Sequence, residues 1–280
     1  MPYVHVPVMP EEVISALNIR PNGLYADGTL GGAGHSSLIL QALNPEGRLI
    51  GIDRDGAAIE NANRKLSAGS PGQFTAVRGN FTQMRGLLSD MGIHAIDGAL
   101  LDLGVSSHQL DTPERGFSYM QDAPLDMRMD DRDDITAYDV VNGYTERQLT
   151  DIFFAFGEER YSKAIARAVI AARPVNSTVA LSDIITKAMP AKARFTSDRE
   201  LRKQHPAKRV FQAIRIEVNN ELNSLNTAVR DIVSLLNPGG RICVITFHSL
   251  EDRIVKHCFK NLANPCDCPR DLPGRPLCRF

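Results

Sequence analysis

Four short apolar runs punctuate the first part of the chain, and each gives way to polar residues. Leu24–Ala26 runs into Asp27, Arg48–Ile52 into Asp53, Phe74–Arg78 into Gly79, Asn80 and Phe81, and Ile96–Leu101 into Asp102. Stretches with helical spacing separate them, over 36–43, 56–66 and 83–91. A shorter helix over 10–17 is expected to carry Pro10 in its first turn with acids behind it. Arg241–Phe247 is a fifth apolar run, entered through the sharp turn Asn237-Pro238-Gly239-Gly240. Strand-length runs alternating with helices predict an α/β fold on a mainly parallel sheet with right-handed crossovers. Ligands of such sheets lie beyond the carboxyl ends of the strands. Asp27, Asp53, Phe81 and Asp102 would share that edge.

From about 105 to 208 no apolar strand is visible. Residues 111–134 are acidic and rich in turn formers, and helices are expected over 145–156, 159–173 and 181–189, with Pro174 and Pro190 as stops. This stretch reads as an inserted helical domain for substrate recognition. The predicted division is a discontinuous ligand-binding domain, 1–104 with 209–280, interrupted by 105–208. One long helix is expected from Val210 to Leu236, and another, capped by Ser249, to about Leu262.

Within this frame the stretch from Asp27 to His35 stands out, with Gly28, Gly31, Gly32 and Gly34 in close succession. Glycines so crowded suit a strand-to-helix turn whose backbone approaches a ligand. The strict G-x-G-x-x-G pattern is not met, because Ser37 takes the third place. Asp53 stands where a ribose-binding acid belongs. Asp102 ends the fourth strand, where residues face a reacting group. His248, with Glu251, Asp252 and Arg253, forms a polar cluster at the end of the fifth strand. No third metal ligand accompanies His248 and Glu251, so no metal is expected there. Cys266, Cys268 and Cys278 have poor zinc spacing.

Net charge is only −1, which gives no global sign of a nucleic-acid partner. The distribution does: Lys187, Lys192, Arg194, Arg199, Arg202, Lys203, Lys208, Arg209 and Arg215 stand against only Asp198 and Glu200 over 187–215. Phosphate contact is the functional reading of that run. There is no apolar run long enough to cross a membrane and no secretory start, and five cysteines suit a reduced, cytoplasmic protein.

Several motifs resemble one family. They include His5-Val6-Pro7-Val8, the loop from Asp27 to Ser36, Gly51–Asp55, Gly79–Phe81, Leu101–Ser107 with Gln109–Asp111, Arg115–Ser118, Pro124–Asp130, Gly157–Arg160 and Thr246–Arg253. Together they resemble the ribosomal small-subunit methyltransferase H family, also called MraW. The resemblance implies a class I methyltransferase with a Rossmann-like sheet and an inserted helical domain. It implies S-adenosyl-L-methionine as cofactor and N4-methylation of a cytidine in the decoding region of 16S rRNA, within the small ribosomal subunit. Carried over residue by residue, the cofactor contacts fall on Ala33, Gly34, His35, Asp53, Phe81, Asp102 and Gln109. Ala33 departs from the pattern, where glycine is usual, and a backbone contact there requires Ala33 to keep a negative φ. Members of the family also continue past the position of Phe280, with a stretch that would supply the last strands.

Asp27 is expected to steer the cofactor by charge, and Asp102 to accept a proton from the amine, with His248 beside it. Phe117, Tyr119 and Phe247 are candidates to stack on the base, and Lys203, Lys208 and Arg209 to hold rRNA phosphates. A nicotinamide oxidoreductase, a non-catalytic ribosome-assembly factor, and a methylase of DNA or protein are the competing readings.

Overall fold

A computed structural model describes residues 7–67, 72–190 and 205–264. Five parallel strands form one sheet in the order β3-β2-β1-β4-β5. They are β1 (Leu24–Asp27), β2 (Arg48–Asp53), β3 (Phe74–Arg78), β4 (Ile96–Asp102) and β5 (Leu236–Ile245). The order reverses between β1 and β4, the switch point at which open α/β sheets bind ligands. Alternation along the strands gives each face its own core. Tyr25, Leu49 and Leu100 pack with α1 (Pro10–Leu17), α2 (Gly34–Ala42) and α3 (Gly56–Leu66). Ala26, Ile50, Ile52, Ala99 and Leu101 face the other way, onto α4 (Met84–Asp90) and two later helices.

The sheet differs from its expected form in β5. Asn237–Gly240 does not precede the strand but lies inside it. The step from Ile96 to Gly98 on β4 faces the longer step from Leu236 to Arg241 on β5. Gly239, at φ +77°, absorbs the extra length as an irregular bulge.

After β4 come two short helices not foreseen in the sequence, α5 (Ser107–Asp111) and α6 (Ala137–Gly143). The expected three follow as α7 (Glu146–Ala155), α8 (Ser162–Ala171) and α9 (Thr178–Ala188). Side-chain caps start most of them: Thr136, Thr145 and Ser177 each accept an amide hydrogen bond. Helices α6 to α9 share a third apolar cluster, which includes Val140, Phe153, Ile165 and Leu181.

The expected single helix from Val210 to Leu236 is two. The first, α10 (Lys208–Asn219), ends where Asn220 turns left-handed at φ 48°, and α11 (Leu225–Ser234) follows. Asn219 makes the break firm. Its side chain accepts from the Met129 amide at 2.7 Å and donates to the carbonyls of Met127 and Arg215 at 2.8 and 2.9 Å. Val210, Phe211, Ala213, Ile214 and Val218 of α10 sit in the helical cluster, although the expected boundary at 208/209 assigns them to the sheet unit. The last described helix is α12 (Ser249–Ala263), packed with α11 on the sheet. Among the described residues no helix is long and apolar enough to cross a membrane.

Candidate active site

A cavity of about 320 Å³ opens at the carboxyl edge of the sheet. The glycine loop after β1 forms one wall. A Cβ on Gly28 would stand 2.6 Å from Leu101 Cδ2 and 2.9 Å from the Phe81 Cβ, so no larger residue fits there. The loop is pinned from beneath by Asp27, which is 1% exposed. Its carboxylate accepts from the Thr29 amide at 3.0 Å and from the Ser36 hydroxyl at 2.6 Å. The Thr29 hydroxyl in turn accepts from the Asp102 amide at 2.6 Å. Asp27 does not line the cavity, contrary to expectation. Ser36, one turn into α2, draws its carboxylate inward, so it shapes the loop. Burial holds its carboxyl above the usual range.

Ala33 needs a second correction. It adopts φ 59°, not a negative value, at the N-cap of α2, and it is buried behind the loop. Its amide is committed to the Leu30 carbonyl at 2.6 Å. A left-handed alanine carries a steric cost of about 1–2 kcal/mol. Gly34 and His35 do line the cavity.

Asp53 ends β2 and lines the same cavity. Its two oxygens accept from the Gly31 amide at 2.8 Å and the Asp55 amide at 2.9 Å. Burial pushes its carboxyl up to about 6, the two amides only partly opposing it. Asp55 caps α3 and is a junction the sequence did not reveal. One of its oxygens receives Gln109 Nε2 at 2.8 Å and an Arg115 guanidinium nitrogen at 2.9 Å. Gln109 Oε1 accepts from the Ser106 amide at 3.0 Å, so both ends of this expected cofactor ligand already hold the loop after β4. Phe81 is buried against the sheet core and also lines the cavity.

Asp102 faces the cavity from the end of β4, and Phe247, 56% exposed, lines it from the end of the neighbouring β5. Asp102 Oδ2 lies 3.6 Å from His35 Nε2, while its buried Oδ1 has no hydrogen-bond partner. Burial, then the charges of Asp27 and Glu251, push this carboxyl up to about 7. Of the candidate stacking rings, Phe117 is buried in the helical cluster and Tyr119 stacks on His205 at 4.6 Å. Phe247 alone of the three lines the cavity.

His248 is a helix cap rather than a cavity residue. It, and not Ser249, occupies the N-cap of α12; its Nδ1 accepts from the Glu251 amide at 3.4 Å and Nε2 sits 3.3 Å from Glu251 Oε1. Glu251 is 2% exposed, and burial alone would raise its carboxyl. His248, the Phe247 amide and Arg215 outweigh that and hold it low. Glu221, His248 and Glu251 bring potential ligand atoms within 4.8 Å of one another. Glu221 is thus a third potential ligand beside His248 and Glu251, contrary to the expectation from sequence. Arg215 already pairs with Glu221. Arg215 and Glu221 line the cavity, and neither was singled out for it by sequence pattern.

Lys208 is exposed at the start of α10, and Arg209 donates to the Glu158 carbonyl at 3.2 Å. Lys203 and the rest of the basic run over 192–202 lie outside the described residues, as do Cys266, Cys268 and Cys278.

The family model described as the MraW methylase family matches residues 2–277. A protein of Agathobacter rectalis named ribosomal RNA small subunit methyltransferase H 2 is 52% identical, over 99% of this chain and 87% of its own length. A Clostridioides difficile protein named ribosomal RNA small subunit methyltransferase H is also 52% identical, over 98% of this chain and 86% of its own. One of the same name from Geobacter sulfurreducens is 50% identical over 98% and 86%.

Proposed function

The chain belongs to the MraW methylase family, and from that premise we propose that it methylates the exocyclic N4 of a cytidine in the decoding region of 16S rRNA, within the small ribosomal subunit of the cytoplasm, using S-adenosyl-L-methionine. The observation that carries this reading is the Asp102 carboxylate at the end of β4, 22% exposed and lining a cavity between the glycine loop and Phe247. The cavity fits the cofactor on two counts. Its size suits a nucleoside-sized ligand, which needs at least about 300 Å³. The acids Asp53, Asp102 and Glu251 on its walls favour a cationic group over an anionic one.

Asp53 would hold the ribose hydroxyls, the loop backbone at Gly34 and His35 the amino-acid end, and Phe81 with Asn80 the adenine side. When bound, the sulfonium supplies an already electrophilic methyl group. The protein's task is then orientation and proton handling. The cytosine amine is a poor nucleophile, because its lone pair is delocalised into the ring. The Asp102 carboxylate, on the cavity wall, would accept one of its N–H protons and so favour the pyramidal amine of the transition state. Phe247 offers a ring face to the unstacked base. The helical unit over 105–208, extended by α10, would form the outer wall and, through Lys203, Lys208 and Arg209, grip rRNA phosphates.

Labelled S-adenosyl-L-methionine, incubated with the protein and immature small subunits, tests the reading. Label should map to N4 of a decoding-region cytidine, and absence of label from any rRNA cytidine would overturn it.

A further inference from the structure

Arg215 and Glu221 form an ion pair that neither the sheet nor the cofactor edge requires. The guanidinium nitrogens meet the two carboxylate oxygens at 2.8 and 3.0 Å, and the side chains are only 15% and 6% exposed. A pair so deeply placed adds little to stability, since desolvation offsets most of the attraction. Yet several features of the chain combine to form it. The left-handed turn at Asn220 brings Glu221 back beside Arg215, and the Glu221 amide bonds the Ile216 carbonyl at 3.2 Å. Asn219 fixes the same turn to the Met127–Met129 segment. Both charged side chains line the cavity, and Arg215 is near enough to Glu251 to help hold that carboxyl low.

Of the five N–H donors of a guanidinium, two are used on Glu221, which leaves donors of Arg215 available to a ligand in the cavity. A cytosine offers, along one edge, the N4 amine as donor and N3 and O2 as acceptors. With N4 at Asp102, the acceptor part of that edge needs donors from elsewhere on the cavity wall.

Resting on the methylation reading above, we infer that Arg215 recognises the target base by donating to N3 and O2 of the cytosine, with Glu221 as the positioning residue that orients its guanidinium. This pairing mimics the donor edge of guanine. It also turns away a uracil, whose N3 carries a hydrogen that would oppose those donors. A planar, forked cation is suited to that task where an ammonium is not.

The test uses single-turnover methylation by the full chain of small subunits carrying either cytidine or 3-deazacytidine at the target position, the analogue lacking only the N3 acceptor. The wild-type protein should methylate the analogue about 10- to 100-fold more slowly. Arg215→Met should be slower on cytidine by a similar factor, and lose no further rate on the analogue. Glu221→Gln should shrink the cytidine-to-analogue ratio, a change that a merely structural role would not produce. Cofactor affinity, measured by calorimetry, should stay within about twofold of wild type for each variant. Equal wild-type rates on the two bases would overturn the inference, as would losses that multiply in Arg215→Met or a collapse of cofactor affinity. If Arg215→Met does not fold, Arg215→Lys and the wild-type comparison decide the question in the same way. Failure of wild-type protein to methylate the native cytidine would instead sink the reading beneath it.

Discussion

Replacing Asp102 by asparagine should stabilise the protein at neutral pH while removing activity. In the folded protein this carboxyl is pushed from its usual 3.8 up to about 7, by burial first and then by Asp27 and Glu251. The unfolded chain releases the proton near the lower value and the folded protein near the higher. Between them the folded state holds the extra proton, so stability falls as pH rises through that window. One pH unit is worth about 1.36 kcal/mol, so the ionised carboxylate costs the fold up to about 4 kcal/mol above pH ~7. An amide incurs none of this. Urea unfolding of both proteins should give equal stabilities near pH ~4 and a gap of about 2–4 kcal/mol in favour of the variant near pH ~8. The rate should behave in the opposite sense. Wild-type kcat/KM should rise with pH through about 7, since the acceptor must be ionised, whereas the variant should be flat and slower by about 10²–10⁴-fold. Parallel stability curves would refute the burial account, and an undiminished rate would remove Asp102 from proton transfer.

Asp53→Ala should weaken S-adenosyl-L-methionine binding by about 10- to 100-fold in calorimetry, from the loss of hydrogen bonds to a charged acceptor; wild-type affinity would refute the ribose role. Asn219→Ala should lower stability by about 2–5 kcal/mol in urea, because the Met129 amide and Met127 carbonyl are left buried without partners. A loss below about 1 kcal/mol would mean that water replaces them. Changing Lys203, Lys208 and Arg209 together to glutamine should flatten the dependence of log K on log salt for rRNA binding, by about 0.7–0.9 for each phosphate no longer neutralised; an unchanged slope would make them ordinary surface charges.

The sheet was legible because its strands carry their signal locally. Each apolar run ends in a residue that cannot be buried comfortably, and Asp27, Asp53 and Asp102 mark three of those ends. The break in the helix after Val210 was not legible, because its cause is remote. Asn219 and Asn220 fit the polar face of an amphipathic helix, and only the hydrogen bonds to Met127 and Met129 stop it there. The sole local hint was the tolerance of asparagine for left-handed backbone at a helix end. The same remoteness hid Arg215, which counted as one more base in a long basic run, and Glu221, which no motif marks. His248 misled in the other direction. A histidine after a strand looks like an acid–base catalyst, and nothing in its neighbours' identities distinguishes that from a cap with Glu251 three residues on.

Asp55 joins parts of the chain that the sequence sets far apart. It starts α3 beside Asp53, and it receives Gln109 and Arg115 from the segment after β4. Arg115 reaches onward to the carbonyls of Arg128 and Met129. A ligand that orders the end of β2 therefore also orders the footing of the helical unit, and the exchange is reciprocal by thermodynamic necessity. Whatever free energy an occupant at Asp53 adds to the seating of that unit, the seated unit returns as tighter binding of the occupant. Large RNA surfaces clasped by the helices would thus hold a small molecule in place from a distance. Departure of the small molecule would in turn loosen the clasp.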